Sequence, residues 1–215
     1  MNKVSTKQEA AKLFSYGQVL MIGGFLAVGT PEVLVDTLVE SNVGGLTIIT
    51  NDTAYVGKGV GKLVVNKQVR KAIVSHIGTN PETGRQMHAG ELDVELTPQG
   101  SLAEKIRCGG SGLGGVLTPT GVGTLVEKGK EIKEIDGKKY LLELPLHADV
   151  ALIKAAKADR FGNLVYRRSS RNFNPLMAMA ADFVIVEAEQ IVETGTLDPD
   201  EIMTPGVLVN MIIQG

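Results

Sequence analysis

Six short apolar runs punctuate this chain, and most are separated by segments with helical spacing. They are residues 18–22 (QVLMI), 46–50 (LTIIT), 69–76 (VRKAIVSH), 92–96 (LDVEL), 149–154 (DVALIK) and 182–187 (DFVIVE). Several are apolar at almost every position, not at every second one. That pattern fits strands covered on both faces. Strands that alternate with helices need crossover connections, which make neighbouring strands parallel. The expected fold is therefore α/β: a single open, mostly parallel sheet with flanking helices. No composition break divides the chain, so residues 1–215 are expected to form one domain, long enough to bury a full core.

Local signals place the other elements. Residues 5–16 suggest a first helix. Thr30, Pro31 and Glu32 read as an N-cap, a proline at the first helical position and an acid in the first turn. Ser101 and Glu104 form a capping-box pattern before a helix running to about Arg107. Residues 130–144 read as a hairpin about Asp136-Gly137, a strong turn pair. Residues 177–181 look helical.

Several function classes are disfavoured. The formal charge is -2, so there is no electrostatic case for nucleic acid or an anionic membrane surface. No apolar run reaches the ~18 residues of a membrane span, and the first residues lack the apolar stretch of a signal peptide. The chain is expected to be cytoplasmic. Its one cysteine, Cys108, allows no internal disulfide and reads as a small buried apolar residue near a helix end. His76, His88 and His147 have no spacing that suggests a metal site, and no metal is expected.

The 26 glycines exceed the ~7% usual in soluble proteins, which points to tight loops. Residues 23–31 (GGFLAVGTP) link a strand to a helix. Gly23, Gly24, Phe25, Gly29 and Pro31 would let backbone approach a ligand, with the unpaired N–H groups of the following helix nearby. The same glycines also suit a plain strand–helix turn, and both readings stand. Gln99 follows the strand at 92–96, and Asn51 follows the strand at 46–50. Ligands of open α/β sheets bind beyond such strand ends, where an amide can donate to a carboxylate or thioester oxygen. A surface role suits them equally.

Two phosphate-loop look-alikes fail on context. Gly110, Gly112 and Gly115 match a dinucleotide fingerprint, but they follow a helix and precede a strand-like run, the reverse of what that site requires. Residues 57–62 (GKGVGK) resemble a Walker loop, yet Leu63 stands where Ser or Thr should follow the lysine. Asp198, Asp200 and Glu201 read as a solvated loop. Arg167, Arg168 and Arg171 around Ser169 and Ser170 suit the phosphates of a ligand, a partner chain or plain surface.

Taken together these residues resemble the alpha subunit of family I CoA-transferases, nearly end to end. GGF-x3-G-x-P at 23–31 looks like the family's signature. HIGTNP at 76–81, ELTPQG at 95–100, the run 106–124 ending in TPTGVGT, and RNFNP at 171–175 agree in order. One departure is Tyr16-Gly17, where the signature usually opens with Asp or Asn before Gly. Asn51-Asp52-Thr53-Ala54 looks more like the acetate/acetoacetate branch than the Asn-Asn pair of the mammalian-type 3-oxoacid enzymes.

The resemblance implies a fold shared with sugar-phosphate isomerases and a ping-pong exchange of CoA between acetoacetyl-CoA or butyryl-CoA and acetate or acetoacetate. In it a glutamate becomes a glutamyl-CoA thioester, and an incoming carboxylate then takes the CoA. That glutamate lies in a Glu-Asn-Gly-type motif of a beta subunit, and this chain contains no Glu-Asn-Gly. So the chain is expected to carry no catalytic nucleophile and to act only with a beta subunit, typically as two of each or higher. Gln99 and Asn51 would support the substrate carboxylate or oxyanion. Gly23, Gly24, Phe25, Gly29, Pro31, Gly110, Gly112 and Gly114 would shape the CoA pocket. Acyl-CoA and short-chain carboxylates are the implied ligands, with no permanently bound cofactor. A stand-alone sugar-phosphate isomerase would need its own acid/base carboxylate and phosphate-binding lysines. A CoA-binding scaffold would show binding without turnover.

Overall fold

The computed structural model describes residues 2–215. The first half runs α1 (Lys7–Ala11), β1 (Val19–Ile22), α2 (Glu32–Glu40), β2 (Leu46–Ile49), α3 (Gly61–Val65), β3 (Val69–Val74), α4 (Pro81–His88), β4 (Asp93–Leu96) and α5 (Gln99–Gly110). There follow β5 (Val116–Thr118), β6 (Ile132–Ile135), β7 (Lys138–Glu143), β8 (Ala148–Asp159), β9 (Leu164–Val165), α6 (Asn174–Met179), β10 (Ala181–Val192) and β11 (Met211–Gln214).

The main sheet has the order β11-β10-β8-β1-β2-β3-β4, and every pair on that path is parallel. Only β9, which hangs on β8, is antiparallel. The apolar runs make sense in this frame. Side chains alternate across a strand, so Leu20, Ile22 and Ile48 enter one core while Met21, Ile49, Ala151 and Ile153 enter the other. Leu34, Leu38, Leu63 and Val64 of α2 and α3 cover the first face. Leu102, Ile106 and Met177 of α5 and α6 cover the second.

A separate antiparallel sheet, β5-β7-β6, carries the hairpin read from Asp136-Gly137, with both turn residues at positive φ. Its β7 is held to the body by Leu141 and by Glu143, both fully buried or nearly so. Glu143 pairs with Lys130 and with Lys105 of α5, the latter at 3.6 Å.

Several local expectations are corrected. The first helix is one short stretch capped by Thr6, whose side chain accepts from the Glu9 N–H; it stops at Ala11 and the chain tightens after it. Thr30 does not cap α2: Pro31 takes that place and the helix begins at Glu32. The Ser101–Glu104 capping box does not form. Pro98, with an extended ψ of 138°, is the N-cap and Gln99 the first helical residue, while Glu104 turns to Arg107 at 2.8 Å. The helix predicted at 177–181 starts and ends earlier, and Ala181 already belongs to β10.

Candidate functional site

Strand order reverses at β1. From there the sheet grows one way through β2, β3 and β4 and the other way through β8, β10 and β11. Loops leaving such a point diverge and open a crevice beyond the carboxyl ends of the strands. The glycine turn after β1, Asn51 after β2 and Gln99 after β4 all lie along this edge.

The glycine turn leaves β1 at the reversal, and it is built jointly with a distant segment. Asn174, fully buried, accepts from the Lys154 N–H at 3.0 Å and donates to the carbonyls of Gly29 and Ser170. Asn172 accepts from the Gly24 N–H at 3.1 Å and donates to the Val28 carbonyl at 2.9 Å. A side chain on Gly23 would overlap the Asn174 amide, and one on Gly29 would overlap the Ser170 carbonyl. These two glycines are therefore required by close approach. The RNFNP segment at 171–175 is the other half of the GGF turn.

The four N–H groups of residues 23–26 all have acceptors inside the chain. Gly23 donates to Leu152, Gly24 to Asn172, Phe25 to Val28 and Leu26 to the Asp52 carboxylate at 3.0 Å. The N-terminus of α2 is likewise occupied. Val33 and Leu34 N–H donate to one oxygen of Glu187, at 2.7 and 3.2 Å, and Lys154 meets the other at 3.3 Å. Burial pushes the Glu187 carboxyl above its ordinary range, against the pull of Lys154 and the two N–H groups. The expectation that this helix end offers free N–H groups is thus overturned: a side chain of β10 fills it.

The exits of β2, β3 and β4 are different. Asn51 is buried at the end of β2, and its side-chain oxygen has no partner. Ser75, one strand over, has its hydroxyl against both the Asn51 carbonyl, at 2.7 Å, and the Gln99 side-chain oxygen. One hydroxyl proton can serve only one of them at a time. With its oxygen turned to Ser75, the amide of exposed Gln99 directs its NH2 elsewhere. Thr79 and Asn80 clamp the loop after Asn51 by donating to the Ala54 and Thr53 carbonyls. The structure thus links Asn51, Ser75 and Gln99 across three adjacent strands. Ser75 carries no local sequence signal; only knowing that β2, β3 and β4 are neighbours would single it out.

The remaining candidates scatter. Phe25 stands exposed at the turn's tip and Pro31 is buried behind it. Gly110 is spent on packing, since a side chain there would strike Met179 of α6. Gly112 and Gly114 lie in an exposed loop with open space around them. Arg167 and Arg168 join Lys154, Glu32 and Glu189 around a pocket of about 320 Å³ behind the glycine turn. Lys62 of the Walker look-alike is paired with Glu32 and Asp36.

The carboxylates near this edge are committed. Of the buried acids, Asp52 accepts from backbone N–H groups, Asp159 from its own turn, and Glu143 and Glu187 meet lysines. What the strand-end cluster presents is amide and hydroxyl chemistry, able to hold a carboxylate or a developing oxyanion; the Ser75 hydroxyl meets a backbone carbonyl and an amide oxygen and not the base that would make it a nucleophile.

Comparison with known proteins agrees over the full length. The family model described as Coenzyme A transferase matches residues 4–215. The chain is 59% identical to the acetate CoA-transferase subunit alpha of Escherichia coli K12, covering 98% of this chain and 96% of that one. It is 55% identical to the alpha subunit of the acetoacetyl-CoA:acetate/butyrate CoA transferase of Clostridium acetobutylicum, covering 99% and 98%. In fold it resembles an acyl-CoA transferase of E. coli O157:H7 solved as a thioester complex with CoA, with TM-score 0.90 at 21% identity. All of this chain is covered there but only 47% of that one, so this chain spans about half of that protein. Glutaconate coenzyme A-transferase from Acidaminococcus fermentans matches with TM-score 0.82 at 22% identity, covering 99% and 75%.

Proposed function

The chain belongs to the coenzyme A transferase family as an alpha subunit, and from that premise we propose that it forms half of a site exchanging CoA between acetoacetyl-CoA or butyryl-CoA and acetate or acetoacetate. The other half comes from a beta subunit, in a complex of two of each or higher. That subunit supplies the glutamate that attacks the thioester carbonyl. The substrate names of the two relatives above support the short-chain choice. We take residues 1–215 as one working unit that acts in the cytoplasm. It uses the CoA thioester as substrate and keeps no cofactor bound. No described helix is long and apolar enough to cross a membrane.

In this reading the roles follow from chemistry. The acyl-CoA carbonyl gains negative charge as the partner's carboxylate adds to it. Amide donors fixed beforehand stabilise that charge without reorganising during the reaction. Gln99 and Asn51 are such donors, and Ser75 sets the orientation of the Gln99 amide. Departure of the CoA thiolate leaves an acyl–glutamyl anhydride; the thiolate then attacks the glutamyl carbonyl, which expels the first carboxylate and leaves the enzyme thioester. The incoming carboxylate then repeats the sequence in reverse. A glutamate nucleophile conserves the acyl group's energy because each intermediate remains an anhydride or a thioester.

The observation that carries this reading is the Asn51–Ser75–Gln99 cluster, rich in polar groups and without a free carboxylate. The test is reconstitution. The purified chain should not move CoA from acetoacetyl-CoA to acetate, whereas the chain co-expressed with a beta subunit of the family should. Turnover by this chain alone would sink the proposal, as would an assembled but inert pair.

A further inference from the structure

We propose that Asp52 is a positioning residue, whose buried carboxylate holds a strained hairpin of the glycine turn in the shape that the site requires. Phe25 and Val28 exchange both backbone hydrogen bonds, Phe25 N–H to the Val28 carbonyl at 3.0 Å and the reverse at 2.8 Å. Only Leu26 and Ala27 lie between them, at φ 48° and 68°. A two-residue hairpin with both central residues at positive φ is the turn for which Asn-Gly is preferred. Here both residues carry side chains that disfavour that conformation. The same loop pair holds a third such residue, Ala54, at φ 51°.

Asp52 joins these strained points. One oxygen accepts from the Leu26 N–H at 3.0 Å and the other from the Ala54 N–H at 2.6 Å. The side chain is 3% exposed, and its partners are backbone N–H groups in place of a cation. Burying a charge in this way is unfavourable unless its hydrogen bonds compensate. Those bonds run to the very amides whose backbone is strained, so the same two hydrogen bonds offset both the buried charge and the strain. Asn172 fastens the opposite limb through the Val28 carbonyl. The result is a fixed tip with Phe25 and Val28 half in solvent, at 46% and 49% exposure, next to the exit that carries Asn51.

The kinetic part of this proposal rests on the CoA-transferase reading; the conformational part does not. In the reconstituted enzyme Asp52→Ala should lower kcat on the order of 10²-fold, as small misplacements at a reacting centre do, with little change in KM for the acyl-CoA. In the isolated chain the Phe25 and Val28 amides should exchange with solvent at least about tenfold faster, as local opening becomes easier. Adding Leu26→Asn and Ala27→Gly to that variant should restore most of the rate, because that pair takes up the turn without an anchor. Asp52→Asn keeps one acceptor oxygen and should show a smaller loss, which covers failure of the alanine variant to fold. Unchanged turnover in Asp52→Ala would overturn the proposal. So would a slow enzyme whose Phe25 and Val28 amides stay protected, or one that the Asn-Gly pair does not restore. An inert wild-type pair would count against the transferase reading instead, and the exchange measurement would still decide the conformational claim.

Discussion

The loops that leave β1 and β4 emerge from one edge of the same sheet, yet they are built on opposite terms. At β1 every N–H from Gly23 to Leu26 is matched, the glycines are pressed against Asn174 and Ser170, and the next helix is closed by Glu187. At β4 the chain turns straight into α5, and Gln99 stands exposed with its oxygen turned to one neighbour. The saturated side sets shape. The open side keeps hydrogen-bonding capacity that no group of this chain uses up. Sequence motifs alone rank them the other way round, because glycine-rich turns are conspicuous and a single glutamine is not.

That contrast breaks most sharply at Gly23. Gly23→Ala should cost about 3 kcal/mol, the upper range for overpacking a rigid site, because the added methyl has only the Asn174 amide to displace. Chemical denaturation would show a lowered midpoint at unchanged slope; a variant as stable as the parent would mean that this wall yields. Gln99→Ala should do the reverse. Turnover of the reconstituted enzyme should fall on the order of 10²-fold, as when one oxyanion donor is removed, while stability stays within about 0.5 kcal/mol, as for an exposed residue. Full activity would remove Gln99 from the site.

Glu187 sharpens the β1 half. Its carboxyl is raised in the folded chain, so the folded state holds its proton more tightly than the unfolded state does. The favourable contribution is complete below the ordinary glutamate range and is lost as pH rises through the raised value. Denaturation midpoints measured across that window should therefore fall with rising pH. Glu187→Gln should flatten this part of the profile, and an unchanged profile would assign the slope to other groups.

Much of the fold was legible because its signals are local. Doubly apolar runs gave the buried strands, and Asp136-Gly137 gave the hairpin. Of the candidate site, Asn51 and Gln99 stand out in the sequence because both follow strands, and the strand order joins them through Ser75. Ser75 and Glu187 were not legible, for their partners Gln99 and Val33 lie 24 and 154 positions away; Asn174 stood in the RNFNP motif, but its bond to Gly29, 145 positions away, did not show. Helix starts failed for a simpler reason. Thr30 and Ser101 have the right chemistry for capping, but Pro31 and Pro98, with non-helical ψ of 82° and 138°, occupy the cap positions.

The pairing of Asn172 with Gly24 spans 148 positions, and this bears on how the molecule comes to exist. While the polypeptide emerges from the ribosome, the turn after β1 has no acceptor for the Gly24 amide and no β8 beside it. Only when the RNFNP segment appears can this wall of the pocket close. Parallel sheets of this kind gain their long-range contacts late, so the half-made chain carries an unfinished edge through most of its synthesis.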